Sequence, residues 1–341
     1  MTDSQANAAL PTEATEPTPT PAITTPPQKQ KIKMNRSQYD GAVGKIYKIW
    51  LLNFFMKIIT LGIYSFWGKT RLRKYIASSF ILGGDRFEYT GTGKELFLGF
   101  LKAVPFIILV YAPYITATII AGEEAAWPAI FLLPFLYIVP MAIFMALRYR
   151  LSRTTWRGVR GSLTGSAIKY GNLSIKRTFI NMITLGIFIP YSDMEKYKFI
   201  VEHAYFGNVK AEFKTSAKSL IKTHIITLFL MIPTLGFSRL WYTAALQRAK
   251  MNGLFIGDLR FKSNVTGVDM LKNTLINLLI LVCTLGLGTP FIINRNMKFM
   301  ARHNVIGGDL DTSQIMQAKG QKASVGEGLD DFMGLDGGFL G

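Results

Sequence analysis

Cysteine is almost absent from this chain of 341 residues, where Cys283 is the single example. An intramolecular disulfide is therefore impossible, and a lone cysteine inside the apolar stretch LILVCTLGLG is typical of a small packing residue. The start of the chain also lacks the continuous apolar segment that a signal peptide contains. Residues 1–33 are rich in Pro, Thr and Ala, so no signal peptide is predicted there.

Acidic residues are scarce in the apolar segments, and the usual catalytic motifs are missing. There is no nucleophile elbow or phosphate-binding loop, and the glycines of GVRGSLTG lack the spacing of a dinucleotide site. His203 and His303 lie at equivalent positions of a repeat described below, which raises the alternative of a metal or proton site, but no Cys or Glu-x-x-His array accompanies them. Because acid–base catalysis needs convergent titratable groups, we predict no enzyme, no catalytic residue, no cofactor and no metal site.

The chain is both strongly basic and hydrophobic. Its formal net charge is +18, yet 49% of the residues are hydrophobic and only 18% are charged. A soluble nucleic-acid-binding protein of this charge would be polar throughout, whereas a membrane protein with basic loops combines both properties. We therefore predict an integral membrane protein without a nucleic-acid partner.

Six apolar segments follow the Pro- and Thr-rich start. Residues 97–121 and 128–147 are long enough to cross a bilayer, and PAIFLLPFLYIVPMAIFMAL within the second has no charge. GEEAAW between them has two acids and no base, while residues 148–177 have eight bases and no acid. Basic loops stay in the cytoplasm, so GEEAAW is predicted outside. The four weaker segments are residues 46–66, 176–191, 220–238 and 271–293.

The weaker segments permit two topologies. If each crosses once, six transmembrane helices result, and residues 192–222 and 239–272 face opposite sides of the membrane. If each enters and returns, all basic loops stay cytoplasmic, but irregular backbone at membrane depth must then be covered by other protein. On segment length we favour single crossings.

The tripeptide Thr-Leu-Gly occurs four times, beginning at residues 60, 184, 234 and 284. The last three copies are 50 residues apart, and the first is separated by 124 residues that include the two long apolar segments. An aromatic residue, a base and a glycine recur 7, 14 and 23 positions after each Thr. The residues assigned a structural role in the repeat are Thr60, Leu61, Gly62, Trp67, Lys74, Gly83, Thr184, Gly186, Tyr191, Lys198, Gly207, Thr234, Gly236, Trp241, Arg248, Gly257, Thr284, Gly286, Phe291, Lys298 and Gly307.

Each repeat is interpreted as an apolar helix, an interface aromatic, a basic amphipathic helix and a short strand. Gly62 is expected to end the first helix as its C′ residue, and DRFEYTG and DLRFKSN alternate as strands do. The predicted fold class is an all-α polytopic membrane protein with about six apolar helices and short strands after the basic helices. The predicted divisions are a disordered tail at 1–37, repeat unit 1 at 38–96, a transmembrane hairpin at 97–147, a basic cytoplasmic linker at 148–174, repeat units 2, 3 and 4 at 175–218, 219–268 and 269–314, and a disordered Gly-rich tail at 315–341.

Two sets of polar residues are candidate binding groups. Four bases of the first basic helix are expected either to contact an anion or lipid headgroup or simply to fix topology. Four polar residues of the weaker segments form a candidate intramembrane site, because such groups inside a membrane are usually functional. The first set is Lys69, Arg71, Arg73 and Lys74, and the second is Asn53, Lys57, His224 and Asn277.

The stretch YDGAVGKIYKIWLLNFFMKIITLGIYSFWGKTRLRKYIASSFILGGDRFEYTGTGKELFLGF resembles the YjgN-type family of bacterial inner-membrane proteins, defined as a domain of unknown function. RYRLSRTTWRGVRGSLTG resembles the family's linker, and the resemblance covers roughly residues 38–310. SDMEKYKF replaces GKTRLRKY in repeat unit 2, which departs from the basic pattern. The resemblance implies an integral inner-membrane protein and brings no activity with it. It is carried by Trp50, Asn53, Thr60, Leu61, Gly62, Ile63, Tyr64, Trp67, Lys69, Arg71, Arg73, Tyr75, Gly84, Phe87, Tyr89 and Gly91.

Two functions remain open from the sequence. Repeats, prolines in helices and isolated polar residues favour a multi-pass transporter or channel-like protein of the bacterial inner membrane. The alternative is a non-transporting envelope protein whose basic, aromatic interface helices bind anionic lipid or partner proteins. In both cases the expected partners are membrane lipids, anionic in character.

Overall fold

A computed structural model describes residues 30–122 and 127–310. The predicted tail at 315–341, most of the tail predicted at 1–37 and residues 123–126 of GEEAAW lie outside this part of the chain. Residues 30–36, which the sequence assigned to the first tail, form a strand.

The described residues contain an antiparallel sheet that closes on itself. Its strands pair in the order β1-β11-β10-β9-β8-β7-β6-β5-β4-β3-β2. The two end members of this order, β1 and β2, are consecutive in the chain and separated only by Ser37, so the sheet is a closed ring. The strands are β1 Gln30–Arg36, β2 Gln38–Tyr39, β3 Phe80–Leu82, β4 Asp85–Tyr89, β5 Thr154–Trp156, β6 Val159–Leu163, β7 Ala204–Phe206, β8 Val209–Phe213, β9 Leu254–Ile256, β10 Leu259–Ser263 and β11 Asn304–Leu310.

Apolar side chains fill the centre of the ring. Leu82, Trp156 and Leu259 are buried and form one cluster, although Leu259 on β10 is five strands away from Trp156 on β5 in the pairing order. Contact between them requires that they meet across the interior of the ring. We call this cluster the plug, and its partly buried members are Phe87, Phe206, Ile256, Phe261 and Ile306.

Ten α-helices accompany the ring within the described residues. The first four pairs of consecutive helices are each followed by a strand hairpin, and the fifth pair, α9 and α10, is followed by the single strand β11. With β1 as the partner of β11, this gives five modules of helix, helix, strand and strand around the ring. The helices also close a circle, because α1 of the first module packs on α10 of the last. The helices are α1 Val43–Ile59, α2 Ser65–Ser79, α3 Gly93–Ala121, α4 Phe135–Arg153, α5 Ala167–Ile183, α6 Ile189–Glu202, α7 Lys218–Phe229, α8 Arg239–Asn252, α9 Gly267–Cys283 and α10 Thr289–His303.

The two long apolar segments belong to the second module. α3 leads through a 3₁₀ turn at Trp127–Leu132 into α4, and β5 and β6 follow as the module's hairpin. The region that the sequence assigned to an insertion therefore has the same order of elements as the Thr-Leu-Gly modules, with a longer first helix.

The last module is completed by the start of the chain. β11 pairs with β1, from Gln30 opposite Leu310 to Arg36 opposite Val305. On the other side of Ser37, Arg86 of β4 binds the Asp40 carboxylate at 2.5 Å. Its guanidinium holds the pKa of Asp40 below the usual range through this side-chain hydrogen bond. Residues 30–40 thus join both ends of the sheet.

The predicted all-α fold with six membrane helices is wrong. The described part of the chain forms a closed antiparallel sheet, and within residues 30–122 and 127–310 two stretches are long and apolar enough to cross a membrane, at residues 93–121 and 127–153. Each of the four weaker segments contains a Thr-Leu-Gly turn, at which its first helix ends and after which the chain returns as a second helix packed on the first, as α2 packs on α1. The preference for single crossings is therefore wrong as well. Strands of three to five residues leave little hydropathy signal, so only their pairing reveals the sheet.

Candidate functional site

The Thr-Leu-Gly turns are built by one hydrogen-bond pattern. In the first turn Gly62 N–H donates to Lys57 O at 2.7 Å and Leu61 N–H to Ile58 O at 3.2 Å, which is a Schellman motif. Thr60 Oγ1 donates to Met56 O of α1 and accepts from Tyr64 N–H at the start of α2. The threonine therefore bridges the two helices of the hairpin.

Leucine occupies an unfavourable backbone position in each turn. The C′ residue is the leucine, with φ of 48–49°, and the glycine predicted there is the following residue. A side chain at positive φ costs about 1–2 kcal/mol relative to glycine. These four side chains are nevertheless among the most exposed in the protein: Leu61 94%, Leu185 84%, Leu235 88% and Leu285 92%.

The leucines lie in a wider exposed apolar surface at the hairpin ends. α2 joins β3 directly, so its turn lies about 22 Å from the ring at 1.5 Å per residue. Ile59, Ile183 and Ile232 beside the turns are at least 74% exposed. In the second module, Leu109 and Ile119 of α3 are also more than 70% exposed. Apolar surface of this extent marks contact with a membrane or another protein.

The other repeat residues have separate structural positions. Trp67 and Trp241 lie over Gly93 and Gly267, where an added Cβ would approach the indoles within 2.7 Å and 2.4 Å. Tyr191 is half-buried and Phe291 exposed. Of the four bases, Arg248 donates to Val265 O, while the three lysines are exposed. Gly83, Gly207 and Gly257 begin strand turns at φ +57°, and Gly307 lies within β11. The lysines are Lys74, Lys198 and Lys298.

The four candidate intramembrane residues do not form one site. Asn53 donates to Gly68 O and joins α1 to α2, while Asn277 donates to Asn296 and joins α9 to α10. Lys57 is exposed near the first turn. Each of the two asparagines thus holds its own helical hairpin together.

His224 is fully buried between the third and fourth modules. Nε2 is 2.9 Å from Gly186 O at the neighbouring Thr-Leu-Gly turn, and Nδ1 is 3.1 Å from Arg239. Because arginine only donates, Nδ1 must accept and Nε2–H must donate to the carbonyl. The ring is thereby fixed as one neutral tautomer, and Tyr242 packs edge-on against it.

His203 and His303 have matching local roles. Nδ1 of each is within 2.9 Å of the carbonyl four residues earlier in its own helix, and each ring packs at a tilt against the phenylalanine there. Within the described residues there is no group of three or more His, Cys, Asp or Glu side chains placed to hold a metal ion. The equivalence of the two histidines follows from their positions at the ends of helices α6 and α10.

An apolar cavity of about 510 Å³ lies directly on the plug. Its walls come from the ring-proximal ends of α2, α4 and α6 and from strands β3 to β9. Phe87, Trp156 and Phe206 belong to both the plug and the cavity lining. The volume is within the range of about 300–1,000 Å³ usual for small-molecule sites.

A few polar groups lie among the apolar walls. Arg73 of α2 and Arg150 of α4 line the cavity from neighbouring modules, and Tyr197 lines it from α6. Burial raises the pKa of Tyr197 to about 12, so its hydroxyl stays neutral. Trp156 is 3% exposed, and its Nε1–H has no acceptor in the described part of the chain.

The four predicted anion-binding bases are divided among different surroundings. Arg73 lines the cavity, Lys69 is half-buried, and Arg71 and Lys74 are exposed, with Arg71 5.9 Å from the Tyr64 ring. Sequence reasoning missed the cavity, because Arg150, Trp156 and Tyr197 are far from Arg73 in the chain. The Trp-Arg-Gly turn at residues 156–158 was the available signal, since it parallels the glycine turns of the other modules.

A closed ring bearing exposed apolar hairpins defines a membrane-associated protein built from helix–helix–strand–strand modules. By sequence comparison, the chain belongs to a family described as bacterial proteins of unknown function (DUF898), which matches residues 34–238 and 223–332. The resemblance inferred from the first repeat is thereby confirmed.

Curated relatives share part of the sequence. A segment of 124 residues is 32% identical to the inner membrane protein YjgN of Salmonella typhimurium strain LT2, covering 36% of this chain and 29% of that protein. A segment of 131 residues is 30% identical to the inner membrane protein YjgN of Escherichia coli O157:H7, covering 38% and 31%. The matches thus span under a third of the relatives' length. No solved structure matches the chain.

Proposed function

We propose that this protein is a non-transporting component of the bacterial inner membrane. It embeds its hairpins in the bilayer and binds anionic lipid headgroups through basic side chains of these hairpins. The location is supported by the names of the relatives, which are inner membrane proteins. The helices of the α3–α4 hairpin are long and apolar enough to cross the hydrocarbon core. In this proposal the Thr-Leu-Gly hairpins enter the bilayer and return on the same side.

The observation that carries the proposal is the leucine at each turn. Glycine at the C′ position would relieve about 1–2 kcal/mol of backbone strain, so leucine has no local advantage in water. In hydrocarbon, burial of a leucine side chain contributes about 1.5–3 kcal/mol, which offsets the strain. Four exposed leucines in the same strained conformation are therefore explained by insertion into a bilayer.

The basic side chains support a preference for anionic lipid. The exposed bases Arg71, Lys74 and Lys298 lie on the second helices of their hairpins. The exposed rings of Trp67 and Trp241 lie in the first turns of the second helices α2 and α8. Aromatic rings favour the membrane interface and lysine and arginine favour anionic headgroups. The net charge of +18 is likewise opposite in sign to the charge of anionic headgroups.

Transport receives less support from the arrangement. Asn53, His224 and Asn277 bond between helices, and none of them lines the cavity. The plug fills the centre of the ring with apolar side chains. The polar residues that the sequence predicted for a transport site therefore do not line a polar path through the ring.

Leu285→Asp is expected to withdraw the fourth Thr-Leu-Gly turn from the bilayer. The exposed native Cys283, two residues away, is labelled with an environment-sensitive fluorophore in full-length protein reconstituted in vesicles. Wild-type emission should be that of an apolar medium, and Leu285→Asp should shift it towards water, because aspartate at depth costs about 3 kcal/mol. Val268→Asp, an exposed apolar position at the other end of α9, is the matched control. Water-like emission from the wild type would rule out insertion.

Anionic lipid is expected to stabilise the protein through its exposed bases. The thermal midpoint should be higher in phosphatidylglycerol nanodiscs than in phosphatidylcholine nanodiscs, and the difference should shrink in high salt because exposed charges are screened. Arg71→Gln with Lys74→Gln should reduce it, whereas Lys210→Gln on β8, another exposed base near the ring, should not. Equal midpoints in both lipids would remove the headgroup preference.

A further inference from the structure

We infer that the cavity on the plug binds one acyl chain of an amphiphile whose anionic head contacts Arg73 and Arg150. This binding site goes beyond the proposed membrane embedding and depends on it only for the supply of the ligand. Nothing in the family description assigns a ligand to the chain.

The walls specify the apolar part of the ligand. A cavity of about 510 Å³ lined by Phe80, Phe87, Leu147, Phe206 and Ile256 offers few groups that would retain water. An apolar cavity of about 150 Å³ already stays dry and takes up hydrocarbon. The larger space on the plug is therefore suited to a chain of methylene groups, which would restore the dispersion contacts that an unfilled cavity loses.

The polar lining specifies the head. Arg73 and Arg150 reach the cavity from two different helices, and a guanidinium binds carboxylate or phosphate through paired hydrogen bonds. The buried Nε1–H of Trp156 has no acceptor within the described chain, although buried donors are nearly always satisfied. A carboxylate, ester or phosphate oxygen supplies the missing acceptor.

The position of the cavity favours a ligand from the bilayer. Leu147, Arg150 and Leu151 lie at the ring end of α4, whose preceding turns are apolar enough to cross a membrane. An amphiphile at the interface can therefore place its head beside the arginines while its chain occupies the space over the plug. A free fatty acid and an anionic phospholipid share this chemistry.

Quenching of tryptophan fluorescence by brominated chains tests the site. Full-length protein in detergent is titrated with brominated stearate, brominated phosphatidylglycerol and brominated phosphatidylcholine, and the quenching that is lost in Trp156→Phe reports the cavity. Quenching by stearate alone identifies a free acid, and quenching by phosphatidylglycerol identifies a phospholipid; either result supports the site. The inference is overturned if no quenching is lost in Trp156→Phe, or if brominated phosphatidylcholine binds as well as the anionic ligands.

Variants separate the head from the chain. Arg73→Gln and Arg150→Gln should each weaken binding of the anionic amphiphile at least roughly tenfold, the loss of one charge-assisted hydrogen bond. Lys210→Gln, which removes an exposed base of β8 that does not line the cavity, is the matched control and should bind as the wild type does. Ala77→Trp should abolish binding by filling the cavity, with an unchanged circular dichroism spectrum showing that the fold persists. Wild-type affinity in Ala77→Trp would overturn the inference, independently of the result of the Leu285→Asp labelling experiment.

Discussion

Cysteines placed at Lys210 and Asp258 should react with a charged, membrane-impermeant maleimide from the same side of the membrane. Both positions are exposed, in β8 and in the turn between β9 and β10, and both belong to one closed sheet. Lys210 lies next to Ala211, which pairs with Ile256 of β9, two residues before Asp258. The two positions are therefore too close for a hydrocarbon core of about 30 Å to lie between them. The labelled side should be the cytoplasm, where basic loops remain.

The experiment uses Lys210→Cys and Asp258→Cys in a Cys283→Ser background, in intact cells and in inverted vesicles. The native Cys283 serves as the matched control, since it is exposed beside a Thr-Leu-Gly turn and should resist the reagent from both sides once that turn is embedded. The single-crossing topology makes the opposite prediction, with residues 210 and 258 on different faces. Labelling from opposite sides would therefore refute the closed ring in the membrane.

Removal of residues 1–37 should destabilise the protein much more strongly than removal of residues 1–29. The longer deletion removes β1 and its pairing with β11 and exposes the edge of the sheet. Five Cα-paired positions are lost, and at about 1 kcal/mol per hydrogen bond this is roughly 5 kcal/mol, a large part of the stability of about 5–15 kcal/mol usual for a protein.

Thermal unfolding of both deletion variants in the same detergent measures the effect, and a midpoint lowered by about 10 °C or more is expected for the longer deletion. Amide exchange should rise in β11 of that variant, because its strand becomes an edge. Equal midpoints for the two deletions, with protection of Val305 and Ile306 retained, would show that β1 does not close the ring.

The Thr-Leu-Gly turns show how far sequence reasoning reached. The fixed spacing of aromatic, base and glycine located all four turns and the helix after each of them. The positive φ of Leu61 could not be inferred, because glycine is the usual residue at C′ and the pattern placed Gly62 there. Which residue carries the strain depends on where the last hydrogen bond of α1 forms.

The second module shows a different limit. Its hydropathy correctly indicated two helices long enough to span, but the same signal concealed that they occupy a position in the ring. The Arg157-Gly158 turn aligns with the glycine turns elsewhere, yet the spacing from a Thr-Leu-Gly motif was absent and no period could be counted. The candidate cavity was hidden for the same reason, since Arg73 and Arg150 belong to different modules.

The sequence by itself determined the membrane class, the family, the positions of the turns and the basic character of three of the four helices that follow them, α6 being the exception. Periodicity, charge and composition report local chemistry, and these properties are local. The tertiary structure alone decided that the weak apolar segments return as hairpins, that Gln30–Arg36 closes the sheet, and that Trp156 lies beneath an apolar cavity. Strand pairing and packing join residues hundreds of positions apart, and such contacts depend on complementary surfaces that no local pattern encodes.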